Sequence, residues 1–441
     1  DWSSDVCSSD LEWSHRGDGE PTDSYKAFML GIRNMWYKGG VKPGEYALEL
    51  TERVRSFDSY QLGRVLSRAE SDNARRQDVE RFATCYAPAL MLPFVFWLLA
   101  DAHARGVEHL CFLASDGSLL KAAADVIIAE RNLGIETHLL QDATSTWNLA
   151  AQAEGPSDDF FAATGLLAQA GTFDAVLEAS QMGEEELIEL VPELAYLATD
   201  RAISIDDNTG VRDALQRSQG YCDRICELGA SRRQALQDYL AQELPFGSPF
   251  AFVQFLDRYD LQASLTQVLR QTGLADMTTF YHAQGMGPST ASCVKRCFVA
   301  NSPNELLFVD LLLENASGSR ATGYDLSDGL VTAVTEPADH FAPIAEALSA
   351  AIPGVAADFA RIDYLDQDGA MRDLFGFALW HVGEHPKDPL YLAGIAPLRE
   401  SAASGNRRPD ITPYWICADH KLRNHIRSLG YKAHMYLSDE A

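Results

Sequence analysis

The chain is short of basic side chains. Lys and Arg total 36 against 63 Asp and Glu, a formal net charge of −27. So acidic a surface repels phosphates, which argues against nucleic acid or an anionic membrane as partner. Long hydrophobic runs are also lacking. The longest, residues 85–100 (CYAPALMLPFVFWLLA), falls below the ~20 residues of a spanning helix, and Pro88 and Pro93 interrupt it. It reads as a buried helix, so no transmembrane segment is expected, and no secretory signal is visible. Cysteine is sparse, eight in 441 residues. That number points to free thiols in a reducing cytosol rather than a disulfide framework, hence a cytoplasmic protein. Two pairs, Cys222/Cys226 and Cys293/Cys297, have C-x3-C spacing, and thiolates at i and i+4 of a helix could share zinc. Structural zinc sites use tighter spacing, so buried thiols are the plainer expectation.

What is present is the composition of a globular protein, 46% hydrophobic and 22% charged, long enough for two or three domains. Residues 1–11 read as a foreign tail: 5–11 (DVCSSDL) is what one reading frame of a common sequencing adapter encodes. The native start is then expected upstream. Residues 12–80 read as a helical segment, with helices around 46–55 and 60–76. A core is expected over 81–300. In it, an apolar helix ends at Gly106, residues 109–114 (HLCFLA) form a strand, and Ser115-Asp116-Gly117 turn into a helix capped by Ser118. Residues 137–140 form a second strand, which makes a β-α-β unit and so a parallel sheet. Residues 150–240 read as helical throughout. The sheet resumes at 250–256, with a helix over 261–272 and a strand at 278–282. Residues 301–441 read as a smaller α+β region, with helices at 304–314 and 340–362 and a hairpin around 323–329. The expected fold is α/β: a Rossmann-like parallel sheet carrying a large acidic helical insertion. Residues 132–200 hold 13 acidic residues and no Lys or Arg, either a solvated helical face or an acidic docking surface.

In an open parallel sheet, ligands bind beyond the carboxyl ends of the strands. Those ends carry Ser115, Asp116, Gly117, Gln141, Asp142, Thr144, Ser145, Gln254, Asp257, Arg258 and Gln262. Asp116 and Asp142 are the acid–base candidates, since they share a crevice if their strands are neighbours. Two carboxylates also offer oxygen ligands to a divalent cation. Asp116-Gly117 is equally a turn signature.

Other patterns fail. Ser118-x-x-Lys121 and Ser71-Asp72-Asn73 stand in the wrong order for a penicillin-binding enzyme, and K-T-G is missing. Asp366-Gln367-Asp368 follows no apolar strand and reads as a turn. Gly285-Met286-Gly287 lacks the third glycine of a phosphate loop. His381 and His385 have i,i+4 spacing, but Gly383 and Pro386 argue against a helix there.

Taken together, these segments resemble the C-terminal region of large bacterial hydrolases of the haloacid-dehalogenase superfamily. The similarity runs over 86–334. An apolar helix and strand end in the family's R-D-G, here Ser115-Asp116-Gly117. A strand is followed by S-R and an aromatic, here Ala143-Thr144 and Trp147. Then comes V-D-x-G-W-x-G-x-x-Q, here Val253 to Gln262, and last a helix with Glu305 and a Gly323-Tyr324 segment. The resemblance implies an upstream phosphatase-like domain, a role in surface-polysaccharide biosynthesis, and a protein partner or fused domain from glycan assembly. The departures lie in one place. Both arginines are replaced, the aspartate is Gln254, and the two glycines are Leu256 and Tyr259. Leu and Tyr fill space that glycine leaves open to a ligand, and without arginine a planar anion loses its bidentate partner. The expected function is an accessory or binding module, not catalytic. The alternatives are an active hydrolase or transferase on a phosphorylated or nucleotide-sugar substrate at Asp116, and a glycosyltransferase-like enzyme.

Overall fold

A computed structural model describes residues 78–157, 160–161, 171–199, 202–203, 205–256, 259–285, 293–299, 305–317, 319–327, 329–337, 342–362 and 367–384, with single positions at 46, 49, 50, 53, 62, 63, 65 and 66. Helix α1 (Asp78–Ala104) leads into strand β1 (His109–Leu113), helix α2 (Ala114–Arg131) and strand β2 (Glu136–Leu140). An excursion follows: helix α3 (Thr144–Ala151), strand β3 (Gly171–Thr172), helices α4 (Phe173–Ser180) and α5 (Glu184–Leu190), strand β4 (Ala202–Ile203), and helices α6 (Ile205–Arg217) and α7 (Gln219–Glu243). The chain returns through strand β5 (Phe250–Val253), helix α8 (Tyr259–Gln271) and strands β6 (Thr278–Gln284) and β7 (Cys293–Val299). Helix α9 (Glu305–Ala316), the hairpin β8 (Ser319–Ser327) and β9 (Leu330–Pro337), and helices α10 (Ala342–Ala360) and α11 (Gln367–Glu384) complete it.

The fold is α/β, a Rossmann-like sheet of five parallel strands in the order β2-β1-β5-β6-β7. The period-2 alternation of strand side chains explains why both faces are apolar. Leu110, Phe112, Ala251, Val253 and Tyr281 face one layer, with α1, α2, α9, α10 and α11. Cys111, Leu113, Phe252 and Phe280 face the other, with α3, α7, α8 and the β8–β9 hairpin. The excursion has its own apolar cluster, which includes Phe160, Phe161, Val176, Leu187, Ile203, Leu215 and Tyr221. It is tied to the sheet where α7 crosses α3. A Cβ on Gly229 would lie 2.7 Å from the Leu149 carbonyl oxygen and 2.9 Å from the Ala153 nitrogen, so only glycine lets the two backbones approach.

Helix α1 is long and apolar enough to cross a membrane by length and composition, yet its apolar window is wholly buried in protein. Pro93 lies inside this helix and does not end it. Asp101, near its C-terminal end, is a polar anchor for the sheet. Its Oδ2 accepts from Arg105 Nε at 2.8 Å, Tyr281 Oη at 2.8 Å and Arg296 Nε at 2.6 Å, and its Oδ1 accepts from Arg296 Nη2 at 2.8 Å. Burial alone would raise this carboxyl, but the hydrogen bonds from Arg296, Tyr281 and Arg105 outweigh it and hold the pKa below the ordinary aspartate value. The two charged side chains are 26% and 17% exposed. Solvent screening therefore brings the cost of Asp101→Ala below that of a fully buried pair, to about 2 kcal/mol. A depressed carboxyl stabilises the fold above its unfolded pKa near 4, and that contribution disappears as pH falls through the folded value. Urea midpoints of wild type and D101A should differ at pH 7 and draw together as the pH is lowered below the ordinary aspartate range; a pH-independent gap contradicts this assignment.

Several sequence expectations are corrected. Ser115-Asp116-Gly117 is no turn before a helix: α2 begins at Ala114, and Ser118 bonds back to the Ala114 carbonyl at 3.2 Å instead of capping. Residues 150–240 are not purely helical, since β3 and β4 pair antiparallel. Cys293 and Cys297 lie on strand β7, where four residues span about 13 Å, too far for one zinc ion. Cys222 and Cys226 do lie on a helix, but among the described residues no third ligand group joins them. His381 is inside α11, which continues past Gly383, and Gln367 and Asp368 begin that helix. His385, Asp366, Met286 and Gly287 lie outside the described residues, as do 1–45 and 385–441. Gly285 serves packing, since a Cβ there would meet Cys297 Sγ at 2.2 Å.

Candidate functional site

The strand order places a topological switch point between β1 and β5, where crossovers leave on opposite faces. Asp116 stands at this point. It occupies the first turn of α2, is wholly buried, and its Oδ2 accepts the Phe255 backbone N–H at 3.0 Å. The carboxylate thus ties the end of β1 to the segment leaving β5. Asp142, two residues beyond β2, accepts the Ser115 N–H on its Oδ1 at 2.8 Å. The residue preceding α2, Leu113, has no capping side chain. Asp142 satisfies one of the orphan N–H groups of that helix from the neighbouring strand, where the dipole favours negative charge. Through Ser115, Asp142 is held next to Asp116 at the carboxyl ends of the neighbouring strands β1 and β2.

Gln254 and Gln262 are both buried and meet there, with Gln262 Nε2 donating to Gln254 Oε1 at 3.5 Å. The Gln254 carbonyl lies 3.0 Å from His282 Nδ1. A carbonyl only accepts, so Nδ1 of this buried histidine carries the hydrogen. Gly117 supplies space: a Cβ would stand 3.0 Å from Phe112 Cβ, so the glycine lets α2 close onto β1. Leu256 is buried and bridges to Gln284. Asp257 and Arg258 lie outside the described residues.

Buried aromatic side chains back these strand ends. Trp147, on α3, is fully buried, and its Nε1–H donates to the Tyr324 hydroxyl. That hydroxyl also accepts from Ala143 N at 3.4 Å and donates to the Gln141 carbonyl at 2.7 Å. Gln141 N–H donates to Tyr239 Oη at 2.8 Å, and the Tyr239 and Tyr324 rings lie 4.6 Å apart. Burial pushes the Tyr239 phenol up to about 12 and Tyr324 well above its ordinary value, so both remain protonated. Thr144 opens α3. Ser145 Oγ accepts from Gln181 Nε2 at 3.5 Å, while Thr146 Oγ1 accepts from the same nitrogen at 2.9 Å and donates to the Thr322 carbonyl at 3.1 Å. Residues far apart in sequence (115–117, 142–147, 253–256 with 262, and 322–324) therefore converge on the carboxyl ends of β1, β2 and β5.

Among the described residues, three buried polar atoms at these ends have no hydrogen-bond partner: Ser115 Oγ after β1, Gln141 Oε1 after β2 and Gln254 Nε2 after β5. Buried polar groups normally pair, so these atoms are open hydrogen-bonding positions at the strand ends. Tyr239 and His282 were not singled out by sequence reasoning. Each is a single polar residue within an apolar helix face or strand, and nothing in local spacing marks it. No family model matches the chain, and no curated protein matches it in sequence.

Proposed function

We propose that this chain is a non-catalytic binding module, an accessory to enzymes of bacterial surface-glycan assembly and a divergent relative of the haloacid-dehalogenase hydrolases. The observation that carries the non-catalytic part is the commitment of both carboxylates to backbone donors, Asp116 to Phe255 N–H and Asp142 to Ser115 N–H. A general acid or base must reach a substrate proton. These two brace the switch point from within, and Asp116 is wholly buried. Leu256 where the family keeps glycine, and Ser115 and Thr144 where it keeps arginine, support the same reading. The glycan setting rests on the motif resemblance. A partner from that pathway, or a fused domain, would supply the chemistry, and the acidic excursion offers it a surface.

The unpaired Ser115 Oγ, Gln141 Oε1 and Gln254 Nε2 favour a second reading, an active site for a phosphorylated or nucleotide-sugar substrate. Turnover separates the two. With p-nitrophenyl phosphate and a panel of nucleotide sugars, in Mg2+ or Mn2+, the purified chain should release no product above background. Turnover that vanishes in a folded Asp116→Asn variant defeats the binding-module reading and installs the enzyme.

A further inference from the structure

The amino end of the sheet carries a second cluster. His109 begins β1, and Glu136 lies directly opposite it on β2 in the parallel register. His138 follows two residues along β2, so strand alternation sets it on the same face as Glu136. Because β2 is an edge strand, solvent reaches the group. His109 Nδ1 lies 3.0 Å from His138 Nε2 and 3.5 Å from Glu136 Oε2, and one ligand atom from each of the three residues falls within 4.8 Å of the others.

We propose that His109, Glu136 and His138 form a mononuclear site for a divalent transition metal of the zinc class. In a tetrahedral site with bonds of 2.0–2.1 Å, neighbouring donor atoms stand about 3.3 Å apart. The two measured separations bracket that edge, and the third closes by rotation of the Glu136 side chain, which is 75% exposed. Two imidazoles and one carboxylate are a donor set that zinc accepts, with a fourth position left to water. The histidines arrive already facing each other nitrogen to nitrogen. In the metal-free protein one N–H donates across that gap; on binding, that hydrogen passes through solvent to the other ring nitrogen of the same neutral imidazole, so both facing nitrogens are free for the metal with no net proton loss. The site is separate from the Asp116–Asp142 end of the sheet, since β1 places its first and last residues about 13 Å apart.

The test is a titration of the full chain with Zn2+ in competition with a chromophoric chelator, repeated with Co2+ to read the ligand-field bands of four-coordinate cobalt. Wild type should bind one equivalent with these bands. His138→Gln should abolish that step, and Glu136→Gln should weaken it at least about tenfold. Circular dichroism reports folding. If H138Q unfolds, E136Q decides alone, since its side chain is largely in solvent. Absence of a one-equivalent step in wild type overturns the site, as does a step unchanged in the folded variants.

Discussion

Trp147→Ala should lower stability by about 4 kcal/mol, the largest single-residue loss expected here, read as a fall in the urea midpoint. The indole is fully buried between the sheet and α7, so truncation leaves a cavity the size of a large aromatic in close-packed surroundings. It also removes the donor to Tyr324 Oη, whose hydroxyl gathers Ala143 N–H and the Gln141 carbonyl. Tyr324→Phe separates the two parts. It keeps the ring and leaves the indole N–H and the Gln141 carbonyl without that partner, at about 1–3 kcal/mol. A Trp147→Ala loss no greater than that of Tyr324→Phe would mean the site collapses around the cavity and that packing is not what Trp147 contributes.

Asp116→Ala should cost about 3 kcal/mol, and Asp116→Asn under about 1 kcal/mol. Alanine leaves the buried Phe255 N–H without an acceptor, whereas asparagine still offers a carbonyl oxygen at the same reach. The contrast opposes what an acid–base role demands, under which asparagine would be as damaging to activity as alanine. Equal destabilisation by the two substitutions would mean that the charge, not the acceptor, is what the switch point needs.

The sheet was legible wherever strands are buried on both faces. HLCFL, FAFV and TTFYH read as short apolar runs because helices cover them above and below. Strand β7 (CVKRCFV) was not legible. It lies at the sheet edge, and Lys295 and Arg296 break its apolar run, the latter because Asp101 neutralises it across the fold. Helix α11 was hidden by Gly383 and Pro386, which argued against a helix around His381; its apolar face, including Met371, Leu374, Phe375 and Ala378, is instead carried by packing. At the carboxyl ends of the strands, the nearness of Asp116 and Asp142 followed from β1 and β2 being neighbours. Their partners did not, because a backbone N–H carries no signature in the sequence and Phe255 reads only as apolar. Gly117 was read as part of a turn or ligand loop; the close approach it permits to Phe112 exists only after helix α2 folds back on β1.

The excursion between β2 and β5 also sets a clock for synthesis. The Asp116–Phe255 hydrogen bond joins residues 139 positions apart. At a translation rate of about 5–20 residues per second, the inner side of β1 waits roughly 7–28 s for β5 to be made. During that interval β1, α2 and β2 stand as a half-built sheet, with Leu110 and Phe112 beside an unpaired edge open to other chains. The excursion, with a hydrophobic cluster of its own, can condense meanwhile and shorten the gap between the two ends it separates. Crowded synthesis, not the finished molecule, is where this architecture is most exposed to aggregation.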